Sequence, residues 1–189
     1  QSRSSAASDV YKRQVLEAMG LQLPGSSFVN PDNPLRDALT TEAVQQLARI
    51  TVLGQDFRPV GKVVDERSII NATVALLASG GSTNHTMHLI AIARAAGILM
   101  DWSDIAELSA AVPLLARVYP NGHADVNHFH AAGGTACMFR MLLAGGYMHA
   151  DAQTVWGGSL QDFTCEAVVE NGVVRLSLIH ISEPTRRRG

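Results

Sequence analysis

The chain has 189 residues, a net charge of −2 from 15 basic and 17 acidic residues, and 47% hydrophobic residues with only 5% aromatic. That length allows one hydrophobic core built mainly from Ala, Leu, Val and Ile, and no apolar run approaches the roughly 20 residues a membrane-spanning helix needs. Cys137 and Cys165, the only cysteines, have no metal-like spacing and read as incidental thiols in a reducing compartment such as the cytoplasm.

The two ends read as added sequence. Asp9 to Gln14 can be encoded by GATGTGTATAAGAGACAG, and the reverse complement of that stretch encodes Leu176 to Ile181. Inverted copies at both ends fit translated sequencing adapter, so residues 1–14 and 176–189 are expected to be non-native and are set aside from fold reasoning. Six of the basic residues (Arg3, Lys12, Arg13 and Arg186 to Arg188) and two of the acidic ones (Asp9 and Glu183) lie in those ends, which leaves residues 15–175 at about −6. No basic patch remains to support nucleic-acid binding.

Helical periodicity dominates residues 15–175. Val15 to Leu21 reads as the end of a helix stopped near Gly20 and Pro24, and Pro24-Gly25-Ser26-Ser27 as a turn. Asn33 and Pro34 are a cap and a first helical residue. The stripe Leu35, Ala38, Leu39, Ala43, Leu47 and Ile50 then carries a helix to about Leu53, with a possible restart at Thr40-Thr41. Val60 to Val64 is short and β-branched, an extended link or an edge strand. Asp65-Glu66 opens a helix whose buried side holds Ile69, Ile70, Thr73, Val74 and Leu77.

After Gly80-Gly81 a further helix places Met87, Ile90 and Ile92 inward and ends at Gly97. Ile98 to Met100 is a strand candidate, Ser103 and Asp104 start a helix through Ala111, and Leu114 to Tyr119 suits a buried strand closed by Pro120-Asn121-Gly122. A helix over Ala131 to Ala144 is broken by Gly133-Gly134 and ended by Gly145-Gly146. Helices alternating with short apolar strands predict an α/β fold, an incomplete and helix-rich three-layer α/β/α domain.

Two stretches carry candidate chemistry. In Ser79-Gly80-Gly81-Ser82-Thr83-Asn84-His85 a glycine turn precedes three good N-caps. Unpaired N–H groups at such a helix start suit a phosphate or carboxylate, and a plain capped joint fits the same pattern. His85 and His88, three apart, can share a helix face. The second stretch holds His123, Asp125, Asn127, His128 and His130 before Gly133-Gly134. Imidazole and carboxylate are usual metal ligands, but the spacing matches no recognised zinc pattern, and turn or polar-site roles fit it as well. Asp65-Glu66 and Asp101 with Asp104 read as helix-start carboxylates.

Leu76 to Leu89, around Ser-Gly-Gly-Ser-Thr-Asn-His, closely resembles the signature of the dihydroxy-acid/phosphogluconate dehydratase family. Gly20 to Pro31 is similar to that family too, as is Tyr119 to Phe129 followed by Ala131-Ala132-Gly133-Gly134, so the likeness runs in order through nearly all of residues 15–175. His85 after the Ser-Thr-Asn triplet and the run Asp125-Val126-Asn127-His128-Phe129 resemble the phosphogluconate branch. The dihydroxy-acid branch usually has a small residue at the first place and a different, shorter run at the second.

The resemblance implies removal of water from 6-phospho-D-gluconate to give 2-dehydro-3-deoxy-6-phosphogluconate. A [4Fe-4S] cluster would be the Lewis acid, and Mg2+ also occurs in relatives. It implies that Ser82, Thr83, Asn84 and His85 face the substrate cleft and that Asp125, Asn127 and His128 flank it. The family's cluster cysteines and Cys-Asp-Lys motif fall before Val15, and its serine base and β-barrel after Arg175. Neither Cys137 nor Cys165 matches a ligand position, so the chain is expected to hold no catalytic residue or metal ligand and to be inactive alone. The whole protein is expected to be a homo-oligomer acting on a small sugar-acid phosphate. Dihydroxy-acid dehydratase and a non-catalytic anion-binding module are the alternatives.

Overall fold

A computed structural model of the protein describes residues 12–29, 32–117, 122 and 126–177, without the side chains of residues 126 and 127. Eight helices are described: α1 (12–18), α2 (Pro34–Ile50), α3 (Val60–Val63), α4 (Glu66–Ala78), α5 (Thr83–Ala95), α6 (Trp102–Ala111), α7 (Val126–Ala131) and α8 (Gly134–Ala144). A 3₁₀ turn, Leu160–Thr164, leads into the antiparallel pair β1 (Glu166–Glu170) and β2 (Val173–Ser177). The described residues are helix-rich with one small sheet, consistent with an incomplete α/β domain.

Local chemistry sets most boundaries. The Asn33 side chain accepts from the Leu35 N–H at 2.9 Å, with Pro34 in the first turn. Asp65 and Ser68 form a reciprocal capping box at the start of α4, and Asp101 with Asp104 forms another at α6. The α2 helix runs unbroken through Thr40-Thr41, because the Thr40 hydroxyl donates back to the Arg36 carbonyl at 2.8 Å.

Helix α4 is the hub. Nine of its thirteen residues are buried, so it presents an inward surface on nearly every side. Ile69, Ala72 and Leu76 pack with Val15 and Met19 of α1 and its end and with Leu89 and Ala93 of α5. Val74, Ala75 and Ala78 pack with Met138, Phe139 and Leu142 of α8 and with Leu160 and Phe163. A third cluster of Leu23, Val29, Leu39 and Ala167 joins α2 to the sheet. Asn71 on α4 is fully buried: its Oδ1 accepts from the His149 N–H at 2.7 Å and its Nδ2 donates to the His149 carbonyl at 3.0 Å.

Several expectations give way. Val60 to Val64 is neither strand nor extended link but the single turn α3. Ile98 to Met100 is irregular and Leu99 is 91% exposed. Residues 114–117 are also irregular, tied to α4 by Leu115 and Ala116 N–H bonds to the Ala78 carbonyl at 2.8 and 3.0 Å, while 118 and 119 lie outside the described residues. Leu47 and Met87 face solvent, because the inward stripes run through Leu39, Gln46 and Ile50 on α2 and through His85, Leu89 and Ala93 on α5. Separate from these differences, and within the ends read as added sequence, Gln14 donates to the Ala75 carbonyl at 3.1 Å and Leu176 lies against the third cluster.

Replacing Asn71 with Ala removes both hydrogen bonds to the His149 backbone, each worth of the order of 0.5–1.5 kcal/mol, and empties part of a fully buried site. Asn71→Ala is expected to lower stability by about 2–3 kcal/mol, read as a shift of the urea midpoint. A shift under about 0.5 kcal/mol would show that the pair does not hold α4.

Candidate functional site

The glycine joint is built by the end of α4. The Gly80 N–H bonds to the Leu77 carbonyl at 3.1 Å and the Gly81 N–H to the Leu76 carbonyl at 2.9 Å, with Gly80 at φ +66°. This paired closure satisfies two end carbonyls and needs the left-handed residue that glycine supplies. A Cβ on Gly81 would lie 1.9 Å from Leu76 Cδ1, so a larger residue there would have to displace the buried Leu76 side chain. Ser79, 1% exposed, donates to the Ala75 carbonyl at 2.9 Å and accepts from Gln14 Nε2 at 3.0 Å.

Helix α5 then starts at Ser82 without a side-chain cap, because the Ser82 hydroxyl lies 3.1 Å from His85 Nδ1 instead. Thr83 and Asn84 are exposed at the tip, Ser82 is half-buried, and His85 is buried at 3% exposure. Successive residues on a helix point about 100° apart, so the four do not share one face. His85 and His88 do share one: both line a groove of about 470 Å³ with Lys12, Leu16 and Ile92.

The second stretch sits on α7. His123 and Asp125 lie outside the described residues, Asn127 is on α7, and His128 and His130 are exposed. His128 lines a different cavity, of about 270 Å³, with Arg117, Phe129, Cys137 and Met138. No carboxylate lines it among the described residues. Helix α7 is held by an edge-to-face contact between Phe129 and Phe28, with ring centroids 5.1 Å apart, and by the Gly133 turn (φ +102°) that leads into α8. A third groove, between α4 and α6, is about 430 Å³ and carries Glu66, Asp104 and Glu107 at its apolar wall. Carboxylates there oppose an anion.

The end of α4 borders both the first stretch and the cavity that His128 lines. Its last carbonyl, Ala78, receives Leu115 and Ala116 at the wall of the α7 cavity, and the joint that starts α5 follows at Ser79.

Two residues of consequence are invisible in the sequence pattern. Glu17 is 0% exposed; its Oε1 accepts from the Gly25 N–H at 2.7 Å and from Thr135 Oγ1 at 3.2 Å, and its Oε2 from the Ser27 N–H at 3.2 Å and the Ser27 hydroxyl. The carboxyl therefore ties α1 to the Pro24–Ser27 turn beside Phe28 and to the start of α8. Burial pushes Glu17 above the ordinary carboxylate value against the pull of those hydrogen bonds. Arg117 is the other, an exposed residue that lines the His128 cavity. A lone Glu on a short helix and a lone Arg beside a loop carry no spacing signal; the hydroxyl and amide donors around Glu17 come from separate segments.

The family model for the dihydroxy-acid/6-phosphogluconate dehydratase N-terminal region matches residues 12–163. The chain belongs to this dehydratase family. It is 56% identical over 160 residues to the phosphogluconate dehydratase of Escherichia coli K12, covering 85% of this chain and 26% of the relative. The Rhizobium meliloti phosphogluconate dehydratase is 57% identical over 164 residues, 86% of this chain and 27% of the relative. A dihydroxy-acid dehydratase of Parvibaculum lavamentivorans is 38% identical over 148 residues, 78% of this chain and 25% of the relative. The chain thus spans about a quarter of the length of the curated relatives it matches.

The family's iron–sulfur cluster does not fit the residues described. Cluster iron takes several thiolates, whereas Cys137 on α8 and Cys165 after the 3₁₀ turn are both free. No group of three or more His, Cys, Asp or Glu among the described residues could hold a metal ion. No helix among the described residues is long and apolar enough to cross a membrane.

Because the folded state binds the Glu17 proton more tightly than the unfolded chain, its contribution is fully present below pH 4.5 and is lost as pH rises through the raised value. Glu17→Gln cannot titrate. Urea denaturation between about pH 7 and pH 5 is therefore expected to show the parent chain gaining stability relative to Glu17→Gln as the pH falls. A stability gap that does not change over that range would contradict the assignment.

Proposed function

We propose that this chain is part of a hydro-lyase that removes water from 6-phospho-D-gluconate, giving 2-dehydro-3-deoxy-6-phospho-D-gluconate. The observation that carries this reading is the identity contrast: 56–57% to phosphogluconate dehydratases against 38% to a dihydroxy-acid dehydratase over nearly the same stretch. In the reaction the C2 proton goes to a base and the C3 hydroxyl leaves with its bonding electrons, forming an enol that becomes the 2-keto acid. Neither group that performs those transfers is assigned to this chain.

Its contribution is a wall of the substrate cleft. Ser82, Thr83 and Asn84 bring hydroxyl and amide groups to the start of α5, where helix N–H groups favour an anion, and the Ser82–His85 contact supports that tip. Asp125, Asn127 and His128 are assigned to the far side, around α7. In the parent protein a [4Fe-4S] cluster would supply the Lewis acid, with Mg2+ as a second metal; their ligands, like the base, are assigned to sequence other than this chain. The partner is a small sugar-acid phosphate, neither nucleic acid nor membrane, and the parent is read as a cytoplasmic homo-oligomer. The segments 1–14 and 176–189 are read as adapter-derived.

The test is a chimera in which residues 15–163 replace the matching stretch of the Escherichia coli enzyme, alongside the isolated chain. The chimera is expected to dehydrate 6-phosphogluconate in preference to 2,3-dihydroxy-3-methylbutanoate, and the isolated chain to turn over neither. Replacing Ser82, Thr83 and Asn84 together with Ala is expected to lower kcat/KM by at least about a hundredfold, near 3 kcal/mol of lost stabilisation. Unchanged kinetics in the triple variant would remove the joint from the site, and preference for the branched dihydroxy acid would overturn the substrate.

A further inference from the structure

We propose that Arg117 binds the phosphate group of the substrate and is thereby the specificity-determining residue of this segment. The inference rests on the phosphogluconate reading and adds a residue to which nothing in the signature stretches points.

Residues 15–175 carry about −6, so a multiply charged sugar-acid phosphate meets no broad positive field and needs a local cation. Most cations between residues 15 and 163 are already engaged. Arg36 donates to the Val29 carbonyl, Arg49 pairs with Glu42, Arg58 with Asp56, Arg67 with Asp151, and Arg140 donates to the Thr164 carbonyl. Lys62 and Arg94 occupy the last turns of α3 and α5, where a cation answers the helix dipole, and neither lines the α5 groove, the α7 cavity or the α4–α6 groove. Arg117 alone among these cations lines the His128 cavity.

Position supports the same assignment. Leu115 and Ala116, next to Arg117, are fixed on the Ala78 carbonyl at 2.8 and 3.0 Å, which places the guanidinium's backbone at a defined distance from the α4–α5 joint. Gly122 lies against its backbone: a Cβ there would be 2.0 Å from the Arg117 carbonyl oxygen, so that position leaves no room for a side chain. The cavity that Arg117, an exposed residue, lines is also lined by His128, Phe129, Met138 and Met141, with no carboxylate among its described lining residues to compete for this cation. A planar fork of donors against a low-polarity wall matches the geometry of a phosphate, which it can bind through two parallel N–H···O bonds. The dihydroxy acids of the family's other branch carry no phosphate and have no use for such a group.

The test uses the same Escherichia coli chimera with Arg117→Met and Arg117→Lys. Arg117→Met is expected to raise the KM for 6-phosphogluconate at least about tenfold while kcat stays within about threefold, the pattern of lost uniform binding. The inhibition constant of inorganic phosphate is expected to rise in parallel. Arg117→Lys, which keeps the charge without the fork, is expected to fall between the two. An unchanged KM and phosphate inhibition in Arg117→Met would overturn the proposal, as would equal collapse of kcat in both variants. An unsubstituted chimera without phosphogluconate turnover would instead overturn the reading beneath it, and this proposal with it.

Discussion

Helix α4 buries nine of its thirteen residues, and that single constraint organises the rest of the chain. A helix buried over most of its length must have its buried polar groups answered by protein. The answers are specific: Asn71 is matched by the His149 backbone, Thr73 turns its hydroxyl back to the Ile69 carbonyl at 2.8 Å, and Ser79 is shared between Ala75 and Gln14. The end carbonyls are closed by Gly80, Gly81, Leu115 and Ala116. Each of these answers fixes another segment in place, so packing and polar satisfaction act through the same residues.

The functional geometry is a by-product of that matching of donors and acceptors. The glycine pair that closes Leu76 and Leu77 also aims α5, with Ser82 at its start. Residues 115 and 116, which close Ala78, set the wall of the cavity that holds Arg117 and His128. Glu17 extends the same logic from α1, drawing the Pro24–Ser27 turn and the start of α8 onto one carboxylate. Phe28 and Phe129 then hold α7 against that turn. On the proposed reading, these same elements form a scaffolded wall that offers polar groups to the substrate.

What the sequence makes legible is local. Asn33 with Pro34, Asp65, Gly97 and the Gly80-Gly81 break are readable because capping and left-handed turns depend on a few adjacent residues. The apolar runs Ile98 to Met100 and Leu114 to Tyr119 read as strands because short hydrophobic stretches carry no period of their own; lacking neighbours to pair with, the described parts are irregular. The one hairpin among the described residues is signalled by Asn171-Gly172 between valines, and it forms with both residues at positive φ, 54° and 78°. That signal sits against the end set aside as added sequence, where no strand is expected. Glu17, Arg117 and the outward turn of Leu47 and Met87 depend on contacts between distant segments, which periodicity within one helix does not encode.

If the α4 terminus brings two separate stretches, the α5 start and the α7 cavity, to one ligand, both must respond when that ligand binds. Hydrogen–deuterium exchange of the chimera with and without 6-phosphogluconate reads this directly. Slower exchange with ligand is expected at residues 82–86 and at 113–134 together, with α2 unchanged. Protection confined to the α4–α6 groove, or absent from both stretches while the enzyme is saturated and turning over, would contradict it.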